Sequence, residues 1–164
     1  MESTTEFLPL RDLANVEAEQ ALLGALLINN GAYEYVVDLV VPEDFSNSVH
    51  GRIFAAIGER VSRGERADPV VLRRAFDQDP ALNGTVTGAY LVKLVESAVS
   101  IINSPSYART ISDLARRREI VFAAQDIVAD AANLADQGRT AMDVLDASEK
   151  RLYDIGSAAL PGGP

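Results

Sequence analysis

The sequence contains no cysteine. This excludes disulfide frameworks, zinc ribbons and thiol catalysis, and it is typical of a protein in the reducing cytosol. No apolar run approaches the ~20 residues needed to cross a bilayer. Residues 1–10 also lack the basic start and the apolar core of a signal peptide. These absences predict a cytoplasmic protein with no membrane segment.

Basic residues are scarce relative to acidic ones. The chain carries 15 Lys and Arg against 24 Asp and Glu, a net charge of −9. Because nucleic-acid binding draws much of its affinity from neutralising phosphates, this charge argues against tight direct DNA binding. Residues 1–99 hold 15 acidic and 8 basic groups, whereas residues 100–164 hold 9 and 7. The uneven distribution indicates a protein partner for at least one part of the chain.

Motifs for catalysis and cofactor binding are missing as well. Neither of the two lysines, Lys93 and Lys150, follows a glycine, so the chain has no phosphate-binding loop. The single histidine, His50, has no second histidine or cysteine with which to hold a transition metal, so a buried or capping role is favoured over catalysis. Glu17 and Glu19, two positions apart on a helix, cannot share a proton or a metal. We predict no catalytic, cofactor-binding or metal-binding residue, and no enzyme activity in this segment.

The residues that are present favour helices, beginning with a series of short ones. Apolar residues recur at helical spacing from residue 16 to residue 29, with Asn15 as the N-cap. Asp68 followed by Pro69 predicts another helix start. These patterns predict a globular helical head over residues 15–103, preceded by an N-terminal tail over residues 1–14. Its predicted core consists of Leu22, Leu26, Ile53, Phe54, Ile57, Leu72, Tyr90, Leu91 and Leu94.

A much longer helical pattern follows. Ser104 and Pro105 open it, and no helix breaker occurs before residues 133–138. About 30 helical residues extend about 45 Å, well beyond the ~13 Å radius of gyration of a globule of ~100 residues, so we expect this helix to protrude. Thr140 with Asp143 predicts the capped start of a return helix. The predicted fold is therefore all-α: a globular helical head and a protruding antiparallel helical hairpin over residues 104–155, with residues 156–164 starting a linker.

The predicted hairpin has more apolar surface than it can bury alone. One stripe on the long helix contains Ile120, Ala124, Ile127, Ala131 and Leu134, and the return helix adds Leu145, Leu152 and Ile155. A second set on the long helix contains Tyr107, Ile111, Leu114, Val121 and Val128. Leaving apolar surface in water is unfavourable by about 25 cal/mol per Å², so we predict that hairpins of two copies pair with two-fold symmetry. The alternative is that the hairpin folds back and completes the core of the head.

The one dense basic run is Arg116, Arg117 and Arg118. Three consecutive positions of a helix spread over about 200° of its surface. A solvated face with salt bridges is therefore favoured over a nucleic-acid site.

Several distinctive segments follow one another along the chain. The first two are residues 15–27 (NVEAEQALLGALL) and residues 42–45 (PEDF), the latter followed by His50 and residues 53–54. Gly64 with residues 67–68, residues 88–91 (GAYL), and residues 107–108 with Arg118 come next. Their order resembles that of the N-terminal domain of bacterial replicative DNA helicases of the DnaB type, and the first two segments are similar to the opening motif and the second signature of this family. The resemblance spans residues 9–155. Residues 47–48 (NS) depart from the aromatic and small residues more usual there.

The resemblance implies a collar domain whose hairpins pair, so that dimers assemble into a hexameric ring. In this family a linker joins the collar to a RecA-like ATPase domain, absent here, which uses ATP and Mg and acts on DNA. The resemblance also implies docking of a primase of the DnaG type, for which Tyr90 and Arg117 are candidate surface residues, and a helicase loader as a further partner. The alternative is a stand-alone helical adaptor or inhibitor that pairs with a helicase.

Overall fold

The computed structural model describes residues 10–80, 84–98 and 100–158, and these ranges contain helices and no strand. Within them the α-helices are α1 (Val16–Ile28), α2 (Ser48–Ser62), α3 (Pro69–Asp77), α4 (Gly88–Ser97), α5 (Ser104–Ala132) and α6 (Ala141–Ala158). Short 3₁₀ helices cover Leu10–Leu13, Asn30–Tyr35 and Pro42–Asp44. The all-α prediction is confirmed. Residues 1–9 of the predicted tail and residues 159–164 of the predicted linker lie outside the described ranges.

Helix starts follow from capping side chains that the sequence identifies. Asn15 Oδ1 accepts a hydrogen bond from the Ala18 amide at 2.9 Å and begins α1. Asp68 Oδ1 accepts from the Val71 amide at 2.9 Å, with Pro69 at the first position of α3. Each cap satisfies an amide that has no partner inside the helix.

The described contacts divide the chain into two units, which we call the larger unit (residues 14–114) and the smaller unit (residues 10–13 and 115–158). In the larger unit α1 is the central helix, since every residue from 21 to 27 is buried. A side chain at Gly24 would overlap the carbonyl oxygen of Leu94, so the backbones of α1 and α4 approach as closely as glycine allows.

The predicted core is confirmed, with one residue at its edge. Tyr90 is half-buried and packs against the other eight members. These eight are buried: Leu22, Leu26, Ile53, Phe54, Ile57, Leu72, Leu91 and Leu94. The start of α5 also contributes, because Ala108 and Ile111 are buried in the same core. The larger unit therefore extends along α5 to Leu114, eleven residues beyond the predicted end of the head at residue 103.

A polar side chain fixes the corner that follows α1. After α1 the chain forms a 3₁₀ helix at Asn30–Tyr35 and then turns. The side chain of Asn30 holds this corner, donating to the carbonyls of Leu26 at 2.9 Å and Ala67 at 2.8 Å and accepting from the Ala67 amide at 2.9 Å.

No helix in the described part of the chain is both long and apolar enough to cross a membrane.

Candidate interaction surfaces

In the smaller unit, the turn after α5 is built by a reciprocal cap. Asp143 Oδ2 accepts hydrogen bonds from the amide and hydroxyl of Thr140 at 2.8 and 3.0 Å, while Thr140 Oγ1 accepts from the Asp143 amide at 3.2 Å. The backbone hydrogen bond from Thr140, followed by the hydroxyl, lowers the pKa of the Asp143 carboxyl below its ordinary value. This capping box starts α6 at the position that the sequence predicts.

Polar contacts join α5 to the turn and to α6. Arg151 forms an ion pair with Asp126, and Arg139 forms one with Asp130. Between the helices lies an open cleft of about 430 Å³, partly lined by Ile127, Ala147, Ser148 and Arg151. Partly exposed ion pairs of this kind contribute little to stability. The open cleft leaves few side chains of α5 and α6 fully buried.

The burial pattern of α6 follows from that arrangement. None of its residues is buried, and only Val144, Ser148 and Ile155 are even half-buried. In α5 beyond residue 114, Ala115 and Ala123 are the buried positions. Exposed apolar patches on soluble proteins mark interaction sites, so the exposed apolar side chains of these two helices are candidates for one.

Most residues of the predicted self-association stripe lie on that exposed surface. The exposed fractions are 48% for Ile120, 88% for Leu134, 47% for Leu145 and 46% for Leu152, and Ala124 and Ala131 are exposed as well. Ile127 is half-buried and lines the cleft between the helices. Leu134 lies beyond the end of α5, in the turn. The structure thus brings Ile120, Ala124 and Ala131 onto one face of α5, and Leu145 and Leu152 onto one face of α6.

Sequence reasoning missed several exposed apolar side chains in the smaller unit. Phe122, Met142 and Tyr153 are 46%, 62% and 74% exposed. Phe122 lies about 160–200° around α5 from Ala124 and Ile120, so it falls outside a single stripe. The sequence signal that could have identified it is an aromatic residue on the face of α5 opposite the stripe. Of the predicted second set, Val128 is exposed, whereas Ile111 is buried in the core of the larger unit.

The arginine run is engaged within the chain. Arg116 pairs with Glu119 at 3.3 Å, and Arg118 Nη1 donates to the carbonyl oxygen of Leu13 at 2.6 Å. Arg117 is exposed on the same helix. These contacts support the salt-bridged face that the sequence favoured.

In the larger unit, a buried polar network surrounds the single histidine. His50 is fully buried and Glu19 is 1% exposed. His50 Nδ1 lies 2.9 Å from Glu19 Oε1, and His50 Nε2 contacts the hydroxyl of Tyr90. The imidazole and phenol rings meet edge to edge through this contact, with centroids 6.0 Å apart and planes 6° from parallel. His50 therefore links α1, α2 and α4, in agreement with the buried role predicted for it.

The carboxylate of Glu19 accepts several hydrogen bonds. Besides His50, its donors are the Ser46 amide at 2.9 Å, the Ser46 hydroxyl at 2.5 Å and the Asn47 amide at 3.3 Å. Burial alone would raise the pKa of Glu19, but the hydrogen bonds from His50, Ser46 and Asn47 outweigh it and hold the pKa below its ordinary value of 4.5. Glu17, two positions earlier, is exposed, so the two carboxylates do point to different faces. Nowhere in the described ranges do three His, Asp or Glu side chains converge to hold a metal ion.

Comparison with known proteins identifies the fold. The family model described as the DnaB-like helicase N-terminal domain matches residues 11–113, more than half of the chain. The chain belongs to this family. It is 34% identical over 147 residues to the replicative DNA helicase DnaB of Rickettsia felis, covering 90% of this chain and 30% of that protein. It is 32% identical over 144 residues to the Treponema pallidum helicase of the same name, covering 88% of this chain and 32% of that protein.

Solved structures agree with the family assignment. The N-terminal domain of DnaB helicase from Mycobacterium tuberculosis superposes with a TM-score of 0.77 at 27% identity, covering 86% of this chain and 97% of that one. A DnaB-like replicative helicase, described together with its interactions with primase, shares the fold with a TM-score of 0.67 at 21% identity, covering 86% of this chain and 31% of that one. The chain therefore corresponds to the N-terminal domain of the replicative helicase family and spans about three tenths of its curated relatives.

Proposed function

We propose that this DnaB-type domain is the oligomerisation and primase-docking domain of an ATP-dependent replicative DNA helicase, which acts in DNA replication and primer synthesis at the fork. The observation that carries the proposal is the apolar surface of the smaller unit, where α6 has no buried residue. A second copy that presents the same surface would cover it with two-fold symmetry. Such dimers would then assemble into a ring of six in the full helicase.

Unwinding itself is assigned to other parts of the helicase. The 164 residues contain no glycine-lysine phosphate loop, so ATP and Mg would bind in a RecA-like ATPase domain outside this sequence. The net charge of −9 disfavours tight DNA binding by this domain. We further propose that the helicase is cytoplasmic and that a helicase loader binds it.

Primase docking is the finer part of the proposal. The fold is shared with a helicase whose structure was described with its interactions with primase, which supports docking at this domain without identifying the residues. Tyr90 on α4 and Arg117 on α5 remain the proposed contacts. Each is at least partly exposed, and they belong to different units of the chain.

Self-association can be tested by placing charge on the exposed stripe. Ile120→Asp with Leu145→Asp puts two carboxylates where we expect apolar contact, and desolvating them there is costly. Both positions are about half exposed, so the single chain should tolerate the two carboxylates. Ile127 is left unchanged because it lines the cleft inside the hairpin. The control, Gln125→Asp with Ser157→Asp, adds the same charge at exposed positions away from the stripe.

The wild type and the control should sediment as a dimer or larger at high micromolar concentration. The stripe variant should sediment as a monomer with an unchanged circular dichroism spectrum. A wild type that is monomeric under these conditions, or a stripe variant that associates as the wild type does, would contradict the proposal.

A further inference from the structure

We propose that Glu19 and His50 are positioning residues for Tyr90: they fix its phenol ring in one orientation on the larger unit, and so fix the edge that Tyr90 presents to a partner. The positioning claim concerns this chain alone. Its consequence for binding rests on the proposed docking of primase at Tyr90.

The first step is the anchoring of Glu19. A carboxylate that is 1% exposed must be paired or fully hydrogen-bonded to remain charged. Glu19 achieves this with two donors on Ser46, the amide of Asn47 and His50 Nδ1, all within 3.3 Å. These donors come from the start of α2 and the residues just before it, so the carboxylate has one orientation.

The second step is the orientation of the imidazole. Because Nδ1 faces a carboxylate that can only accept, Nδ1 carries a proton. In the neutral ring Nε2 is then the acceptor, and the Tyr90 hydroxyl is the donor that reaches it. The carboxylate thus selects the tautomer, as an outer carboxylate does for the histidines of metal sites.

The third step is the position of Tyr90 itself. His50 is fully buried, whereas Tyr90 is half-buried. The network therefore runs from the interior to a side chain that also faces solvent. A hydrogen bond at the hydroxyl restrains the phenol ring, whose plane lies within 6° of the imidazole plane. A restrained aromatic ring loses little conformational entropy when a partner binds it.

Two histidine substitutions separate the two halves of the network. His50→Asn places an amide nitrogen near the position of Nδ1 and keeps the contact with Glu19, but it is too short to reach Tyr90. His50→Gln reaches towards Nε2 and should restore part of the contact with Tyr90. Tyr90→Phe removes the hydroxyl alone. Tyr153→Phe is the control, since Tyr153 is 74% exposed.

Two measurements on the chain alone test the positioning. His50 is the only histidine, so its nitrogen resonances in an NMR spectrum need no assignment by mutation. We expect a proton on Nδ1, an acceptor Nε2, and a shift of Nε2 in Tyr90→Phe but not in Tyr153→Phe. Tyr90→Phe should raise the unfolding equilibrium constant about tenfold in the wild type, much less in His50→Asn, and to an intermediate extent in His50→Gln. A protonated Nε2 in the neutral ring, or equal effects in all backgrounds, would overturn the proposal.

Binding to the primase of the same organism tests the consequence. Tyr90→Phe and His50→Asn should each weaken binding several-fold, and the double variant should be no weaker than either one. If Tyr90→Phe weakens binding equally in the His50→Asn background, the hydroxyl contacts primase directly and the positioning role is wrong. If the wild type does not bind primase, the docking proposal fails, while the NMR and unfolding measurements still decide the positioning of Tyr90.

Discussion

The two units of this chain bury their apolar residues to very different extents. In the larger unit, α1 is buried over seven consecutive positions and packs among the neighbouring helices. In the smaller unit, α6 is 18 residues long and has no buried residue. Helices of this length gain most of their stability in proteins from packing of an apolar face. The larger unit supplies that packing from its own residues, whereas α6 of the smaller unit buries none of its side chains within the chain.

The largest expected difference between the units is in the free energy of unfolding lost when a side chain is truncated to alanine. Phe54 is 2% exposed and packs on Tyr33 and Phe45, with ring centroids 5.6 and 5.2 Å away. Phe54→Ala should lower the free energy of unfolding by about 3–5 kcal/mol through lost burial and a residual cavity. Leu134→Ala, at an 88% exposed position, should change it by less than about 0.5 kcal/mol in the monomer. Chemical denaturation of both variants at low concentration measures the difference, and similar losses at the two sites would contradict it.

A smaller effect, of opposite sign in the two units, is expected at two helical glycines. A methyl group at Gly24 would overlap the Leu94 carbonyl, whereas one at Gly156 would meet nothing within 4 Å. Gly24→Ala should therefore destabilise the chain by about 1–3 kcal/mol through overpacking. Gly156→Ala should be neutral or stabilise by up to about 1 kcal/mol, because alanine has the higher helix propensity. Thermal unfolding of the pair checks both signs, and a neutral Gly24→Ala would mean that α1 and α4 are not in close contact.

The helix caps could be predicted because each joins residues close in sequence, and the core residues could be predicted from the spacing of apolar residues within each helix. Asn15, Asp68 and Thr140 each bond to an amide three residues away. The boundary between the units could not be predicted, since α5 continues through it without a glycine or proline. The burial of Ala108 and Ile111 among residues distant in sequence places the start of α5 in the larger unit.

The candidate sites were predictable to different degrees. The exposed stripe follows from the spacing of Ile120, Ala124 and Ala131 on one helix. The network of Glu19, His50 and Tyr90 spans separations of 31 and 40 residues, and no local pattern indicates which helices meet. A lone histidine in the sequence suggests burial but does not name its partners.

A still smaller effect is expected in the pH dependence of the free energy of unfolding, and it should originate from Glu19 in the larger unit. The pKa of Glu19 lies below its ordinary value of 4.5 in the folded chain. Its hydrogen bonds therefore stabilise the fold above about pH 4.5, and this stabilisation is lost as the pH falls through the folded pKa. The free energy of unfolding should fall more steeply with decreasing pH in the wild type than in Glu19→Gln. Glu17→Gln removes the same charge from an exposed position of α1, and an equal slope in all three proteins would count against the network.

The most direct test of the central claim, that a second copy covers the smaller unit, is hydrogen exchange at two protein concentrations. Amides of α6 should exchange slowly at high micromolar concentration and considerably faster on dilution to the low nanomolar range, because their protection depends on association. Amides of α1 should exchange at the same rate at both concentrations. Protection of α6 that is unchanged on dilution would show that the smaller unit is stable alone and would contradict the account.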